Sequence, residues 1–303
     1  MSAKQIKDCI QTEAGAIEAK VLGSGIPILV IHGSPGGIDS AIAMSKFLLD
    51  QEGEFQTICF SRMGYLNTPL SQDDSSINAE ADLIAALLDT LDISHAGVLA
   101  WSGGGPVAFQ LAARHPTRVS CMIAIATVSS TYTPPKPSII DRIMFGTRFG
   151  EHVIKYLVSH APDHIVAQAL EQEGSLGRDE LQTQIAHALA NSSQRQLILD
   201  TAVTVNIGNE RKAGWENDMA NFAAIDRLDL EQIECPVLLV HGDADTDALL
   251  HYSQDAHQRL RNSELVTIPR GTHLGFYAHP QACEMQARAK EWFQYHAKEA
   301  EEH

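Results

Sequence analysis

The stretch VLAWSGGGPVAF, residues Val98–Phe109, decides how the rest of the chain is read. A hydrophobic run passes through one serine into three glycines and a proline, a residue suited to the first turn of a helix. Ser102 is therefore either an incidental member of a glycine-rich turn or a nucleophile at the tip of a sharp strand-to-helix bend. The patterns on either side bear on that choice.

Upstream, Ile28–Ile31 is apolar throughout, and FQTICFS (55–61) is a second such run. Strands without a polar face belong inside a layered sheet. The run from Ile17 is separated from Ile28–Ile31 by Gly23-Ser24-Gly25, which predicts a hairpin. SSINAEADLIAALLDTLDI (75–93) reads as a helix. Its Ile84, Leu87, Leu88 and Leu91 share one face, and Glu80 and Asp82 lie near its start. AGVLAWS (96–102) is a strand. GGPVAFQLAARHP (104–116) is a helix with Pro106 in its first turn and Pro116 beyond its end.

Further strands are VSCMIAIA (119–126), CPVLLVHG (235–242) and ELVTIP (264–269). QACEMQARAKEWFQYH (281–296) is a closing amphipathic helix with Met285, Ala289, Trp292 and Phe293 on one face. The tail AKEAEEH (297–303) is expected to be a frayed, solvated helix end. One stretch breaks the alternation. From Pro134 to Ile225 the pattern is helical and polar, and it opens on TPPKP (133–137), a stiff segment that resists helix. The expected architecture is α/β: a mostly parallel sheet flanked by helices. Residues 1–133 and 226–303 form its core, and 134–225 form a helical insertion.

Composition narrows the function. The 303 residues are 44% hydrophobic and 20% charged, ordinary values for a soluble globular protein. The net charge of −16 argues against nucleic acid, whose phosphates need basic surface. The cysteines Cys9, Cys59, Cys121, Cys235 and Cys283 are odd in number, scattered and without a CxxC pair. They read as thiols in a reducing compartment, with Cys59, Cys121 and Cys235 in or beside apolar runs. MSAKQIKDCIQTEAG has no apolar signal region, and no run approaches the roughly 18 apolar residues of a membrane span. A cytoplasmic protein is expected. Nothing in the composition speaks against a homo-oligomer.

In a parallel sheet, ligands gather beyond the carboxyl ends of the strands. Beyond four of these strands lie HGSPGG (32–37), Ser102, HGDADTD (241–247) and PRGTH (269–273). A serine, a choice of aspartates and a histidine thus fall on one edge, in the order Ser, Asp, His. The spacing of Asp243, Asp245 and Asp247 also suits a calcium loop. That loop needs Gly at its sixth position and Glu at its twelfth, where this chain has Ala248 and Gln254. The fourteen histidines form no zinc pattern, so neither a metal nor a cofactor is expected.

On these motifs the chain, from Ile17 to Phe293, resembles an α/β-hydrolase with a helical cap of the bacterial type. The family elbow G-x-S-x-G corresponds to Ala100-Trp101-Ser102-Gly103-Gly104, with alanine in place of the first glycine. The resemblance implies that Ser102 is the nucleophile, that His273 is its base and that Asp245 orients the base, with Asp243 and Asp247 as rivals. It implies an oxyanion hole from the backbone N–H groups of Gly103 and Ser34. His32 would order the loop, and Arg62, Gly64 and Tyr65 match the family's arginine-glycine-aromatic segment, with Arg62 anchoring a loop. The helical insertion would be the cap. Its Met144, Phe145, Phe149, Tyr156, Leu157 and Trp215 are expected to help roof the site.

The implied activity is a serine hydrolase that cleaves a small, neutral, partly apolar carboxylic ester through an acyl-enzyme. It should lose activity as pH falls through the ordinary histidine range, roughly 6–7. A C–C hydrolase, a lactonase or a thioesterase would use the same residues. HGSPGG also resembles the loop of proline iminopeptidases, in which case Glu171 or Glu173 would hold a substrate amine. A hydrolase-fold receptor without turnover is the alternative from another class.

Overall fold

The computed structural model describes residues 9–134 and 139–301. The strands are β1 (Cys9–Thr12), β2 (Gly15–Gly23), β3 (Ile26–Ile31), β4 (Phe55–Phe60), β5 (Ala96–Trp101), β6 (Val119–Ile125), β7 (Val237–Gly242) and β8 (Ser263–Ile268). They form one sheet in the order β1-β2-β4-β3-β5-β6-β7-β8. From β4 through β8 every neighbouring pair is parallel; β1–β2 and β2–β4 are antiparallel. The runs without a polar face take the middle of the sheet: β5 is buried along its whole length, and Ile28–Ile31 of β3 is closed off from solvent.

One expectation fails. The runs on either side of Gly23-Ser24-Gly25 do not form a hairpin: β4 lies between them, antiparallel to β2 and parallel to β3. Burial explains the exchange. β2 is partly exposed and suits a place near the edge, whereas β3 and β4 are apolar and each gains by having a strand on both sides. The true hairpin partner of β2 is β1, a strand too short and polar to be read from the sequence.

Helices cover both faces. On one, α2 (Ile77–Thr90) and α3 (Gly105–Arg114) pack Leu83, Ile84, Leu87, Val107 and Leu111 against alternate side chains of the sheet. Ser76 caps α2 by accepting a hydrogen bond from the Ala79 amide at 3.2 Å. On the other face, α1 (Ile38–Ser45) and α12 (Ala282–Glu301) contribute Met44, Met285, Ala289 and Phe293 to a second core. Cys59 and Cys121 are buried thiols within it, and Cys235 is buried in the first.

Residues 139–223 contain α4 (Ile139–Gly146), α5 (Arg148–His160), α6 (Pro162–Gln172), α7 (Arg178–Ala190), α8 (Ser192–Ala202) and α9 (Lys212–Ala223), with no strand among the described residues. Two of the side chains expected to roof a site, Phe149 and Tyr156, instead face solvent at 69% and 60% exposure. Helical spacing places residues on one face but does not say which way that face turns. The helices α10 (His251–Arg259) and α11 (Gly275–Ala278) complete the chain. Most of TPPKP and the last residues of the tail lie outside the described residues. Among the described residues no helix is long and apolar enough to cross a membrane.

Candidate active site

Ser102 follows the last residue of β5 directly and has φ +54°, in the left-handed region that a residue with a side chain avoids. The sharp reversal lifts its side chain out of the strand. Glycines make the bend sterically possible. A Cβ on Gly104 would come within 2.7 Å of the Ile31 carbonyl oxygen, and one on Gly103 within 2.7 Å of Ser34 Cβ. Alanine at position 100 is accommodated because that residue lies inside β5, fully buried and regular.

His273 lies beyond β8 in a buried loop. Its Nδ1–H donates to Asp245 Oδ2 at 2.8 Å. The other oxygen of Asp245 accepts from the Asp247 and Ala248 amides at 2.9 and 3.1 Å. His241 Nε2 stands 3.2 Å from Asp245 Oδ2 as well. Burial by itself would raise the Asp245 pKa, but the charge of His273 and the hydrogen bonds of His241 and His273 overcome it and hold the carboxyl at about 2. Trp101, immediately before Ser102, stacks on the imidazole with centroids 5.5 Å apart and planes inclined by 26°. The base candidate thus packs on the residue that precedes the nucleophile candidate; no hydrogen bond joins Ser102 to His273 among the described residues, and catalytic contacts often tighten only with substrate bound.

The rival aspartates have other partners. Asp243 accepts from the Arg270 amide at 2.6 Å and shapes the turn after β8. Asp247 accepts from the Tyr132 hydroxyl at 3.2 Å and stands 3.5 Å from His273 Nε2, on the side of the ring away from Asp245.

Of the two glutamates considered for an amine, Glu171 is exposed and bonded by Gln168, while Glu173 reaches the site. The segment after α6 is clipped onto the two loops: His273 N–H donates to Glu173 O at 2.9 Å, and Ser175 N–H to Ala244 O at 2.9 Å. Glu173 Oε2 is sealed from solvent with no hydrogen-bond partner. Burial, only partly offset by His273, raises this carboxyl to about 7. Glu173, Asp247 and His273 bring one ligand atom each within 4.8 Å of the others. A divalent ion there would occupy the base, so the two carboxylates are better read as its electrostatic surroundings. Burial would lower the His273 pKa, but Asp245, Asp247 and Glu173 outweigh it and raise the imidazole to about 10. The ordinary histidine range expected from sequence is thus displaced upward. No spacing in the sequence brings Glu173 to His273; that contact comes from the path of the helical segment.

On the oxyanion side, Ser34 lies against Gly103, where an added Cβ would stand 3.2 Å from Ser34 N. His32 Nδ1–H donates to Gly33 O at 2.7 Å, and His32 Nε2 accepts from the Arg62 amide at 3.0 Å. The ring is therefore neutral; burial and then Arg62 keep its pKa well below the usual value. Arg62 is fully buried and binds Asp218 through both terminal nitrogens, at 3.0 and 2.7 Å, and Glu80 at 3.0 Å. Burial opposes that charge, but the two carboxylates raise its pKa above the ordinary value. Tyr65 donates to Asp218 Oδ2 at 2.6 Å and meets Ser34 Oγ at 2.8 Å.

The fold and the sequence resemble those of known proteins. Residues 26–280 match the alpha/beta hydrolase fold family. An alpha/beta hydrolase fold protein from Nakamurella multipartita is 37% identical, with TM-score 0.92 over 96% of this chain and 99% of that one. An uncharacterized hydrolase of Bacillus subtilis, YcgS, is 26% identical over 275 residues, 89% of this chain and 93% of its own. A pimeloyl-[acyl-carrier protein] methyl ester esterase of Neisseria meningitidis is 30% identical over 230 residues, 72% of this chain and 76% of its own.

Proposed function

The chain belongs to the alpha/beta hydrolase fold family, and from that premise we propose that it is a serine hydrolase cleaving a small, neutral, partly apolar carboxylic ester. The observation that carries the reading is the buried Asp245–His273 pair, stacked on Trp101 beside a serine held in the left-handed region. The similarity to a methyl ester esterase supports an ester over other acyl compounds.

In this mechanism His273 Nε2 takes the proton of Ser102 as Oγ attacks the carbonyl carbon, and Asp245 holds the imidazole in the required tautomer. The tetrahedral oxyanion lies between the backbone N–H groups of Gly103 and Ser34. His273 then gives its proton to the departing alcohol, leaving an acyl-Ser102. Water, deprotonated by the same histidine, releases the acid and restores the serine. Residues 134–225 act as a cap over this edge. Phe222 on α9, 3.1 Å from where a Gly103 Cβ would stand, gives the acyl side an apolar wall. The free cysteines, with Cys59, Cys121 and Cys235 buried, fit action in the reducing cytoplasm.

Glu173 and Asp247 beside His273 favour a second reading, an aminopeptidase in which these carboxylates hold a substrate amine. A panel of p-nitrophenyl esters, lactones and aminoacyl amides separates the two. The ester reading expects kcat/KM to rise from acetate to butyrate or hexanoate, by about 0.8 kcal/mol per buried methylene, and then fall for long chains. EDTA is expected to leave the rate unchanged. Faster turnover of charged aminoacyl amides than of every neutral ester overturns it, and an inert protein points to a receptor.

A further inference from the structure

We infer that Tyr65 is a positioning residue for the oxyanion loop, pinning Ser34 and its backbone N–H to the buried Arg62–Asp218 ion pair, whose carboxylate lies on α9. The inference rests on the proposed role of Ser34 in binding the oxyanion.

Proton counting sets the direction of the chain of hydrogen bonds. A phenol has one proton, and that of Tyr65 goes to Asp218 Oδ2 at 2.6 Å. At 2.8 Å the Ser34 hydroxyl must then be the donor to Tyr65. Its proton is committed to Tyr65, and only the backbone N–H of Ser34 remains to meet an oxyanion. The anchor at the far end is stiff. Asp218 is held in bidentate fashion by Arg62, and Arg62, Asp218, Glu80 and Tyr65 are all buried.

The same peptide plane is gripped a second time. The Ser34 N–H belongs to the plane that carries the Gly33 carbonyl, and in a trans peptide the two point in opposite directions. His32 Nδ1–H holds that carbonyl at 2.7 Å, while Tyr65 holds the Ser34 side chain. Tyr65 also packs edge-on against the His32 ring, with centroids 5.0 Å apart. Both restraints on the plane thus meet at Tyr65. Its anchor is the helix by which the chain returns from the helical segment to the sheet. That helix is clipped to the loop that carries Tyr65, where Gly214 N–H donates to Gly64 O at 2.9 Å. A donor aimed in advance stabilises the transition state without reorganising, so its loss should lower kcat more than it raises KM.

A double-mutant cycle of Ser34→Ala and Tyr65→Phe tests this with p-nitrophenyl butyrate as substrate and a butyl boronic acid as transition-state analogue. Both variants break the Ser34–Tyr65 bond and keep the backbone N–H; Tyr65→Phe also removes the bond to Asp218. Each single variant should lose kcat by about fivefold to tenfold, the size of one net hydrogen bond, with KM within about twofold. The double variant should be no slower than Tyr65→Phe alone, and boronate affinity should fall in parallel with kcat. Titration with a fluorophosphonate counts active sites and normalises kcat. Losses that are additive, confined to KM or to the fraction of active protein, or absent overturn the role of Tyr65. Should Tyr65→Phe not fold, Ser34→Ala with the boronate decides alone. A wild type that neither reacts with the fluorophosphonate nor turns over any ester rejects the proposed function, and the positioning role with it.

Discussion

Asp245 and His273 are joined by a 2.8 Å hydrogen bond from Nδ1, and the carboxylate that accepts it is closed off from solvent. Asp243 and Asp247 are two residues away on either side, yet neither shares that bond. Asp245→Asn presents a donor where the imidazole needs an acceptor, so kcat is expected to fall by about 10⁴ with the fold intact. Asp243→Asn should change kcat by less than about tenfold, because its carboxylate only shapes a turn. Steady-state kinetics of Asp245→Asn, Asp243→Asn and Asp247→Asn decide the order, and Asp243→Asn proving the most damaging would remove Asp245 from the proposed triad.

Three carboxylates around one imidazole alter the pH profile. His273 must be neutral to act as a base, and its pKa lies near 10, so kcat/KM should still be rising above pH 7. The sign follows from the raised value: lowering the pH protonates the base before the ordinary histidine range is reached. Glu173→Gln removes one of the charges that hold the proton and should shift the acid limb to lower pH. A limb that stays in place in Glu173→Gln, or lies below pH 6 in the wild type, contradicts this electrostatic account.

Ser102→Ala should reduce kcat by a factor on the order of 10⁶, about 8 kcal/mol, without loss of structure. A fluorophosphonate should label Ser102 in the wild type and nothing in the variant. Peptide mapping that finds the label on another residue removes Ser102 as nucleophile.

Among the described residues Arg62 is the one cation paired with Asp218 and Glu80, and all three are buried. Arg62→Met leaves two carboxylates without their counter-charge and is expected to cost about 3–5 kcal/mol of stability. Urea denaturation measures it. A loss under about 1 kcal/mol would mean that the carboxylates simply take up protons at little cost.

Much of the core was legible before any contact was known. Ile28–Ile31, Phe55–Phe60 and Val98–Trp101 lack a polar face, and a strand buried on both sides is the economical reading of such runs. The elbow was legible because glycine, serine and proline act locally: they decide where the backbone can turn, and the turn places Ser102 at φ +54°. The edge on which Ser102, the aspartates and His273 collect follows from strand direction alone.

Pairing and orientation were decided elsewhere. That β4 separates β2 from β3 depends on competition among strands for the sheet interior, and the glycines between them permit a hairpin as readily as a crossover. Asp245 differs from Asp247 through burial against His273, 28 residues away, and Tyr65 meets Asp218 across 153 residues. Glu173 reaches the imidazole only because the chain leaves α6 alongside the acid loop, where Ser175 bonds to Ala244. Periodicity records which side of a helix or strand avoids water, so the sequence by itself determined the layers, the bend and the edge on which the candidate residues collect. A contact between distant segments depends on how those layers pack in three dimensions and leaves no trace in local spacing, so the choice of acid, the charge around the base and the anchoring of Ser34 belong to the tertiary structure.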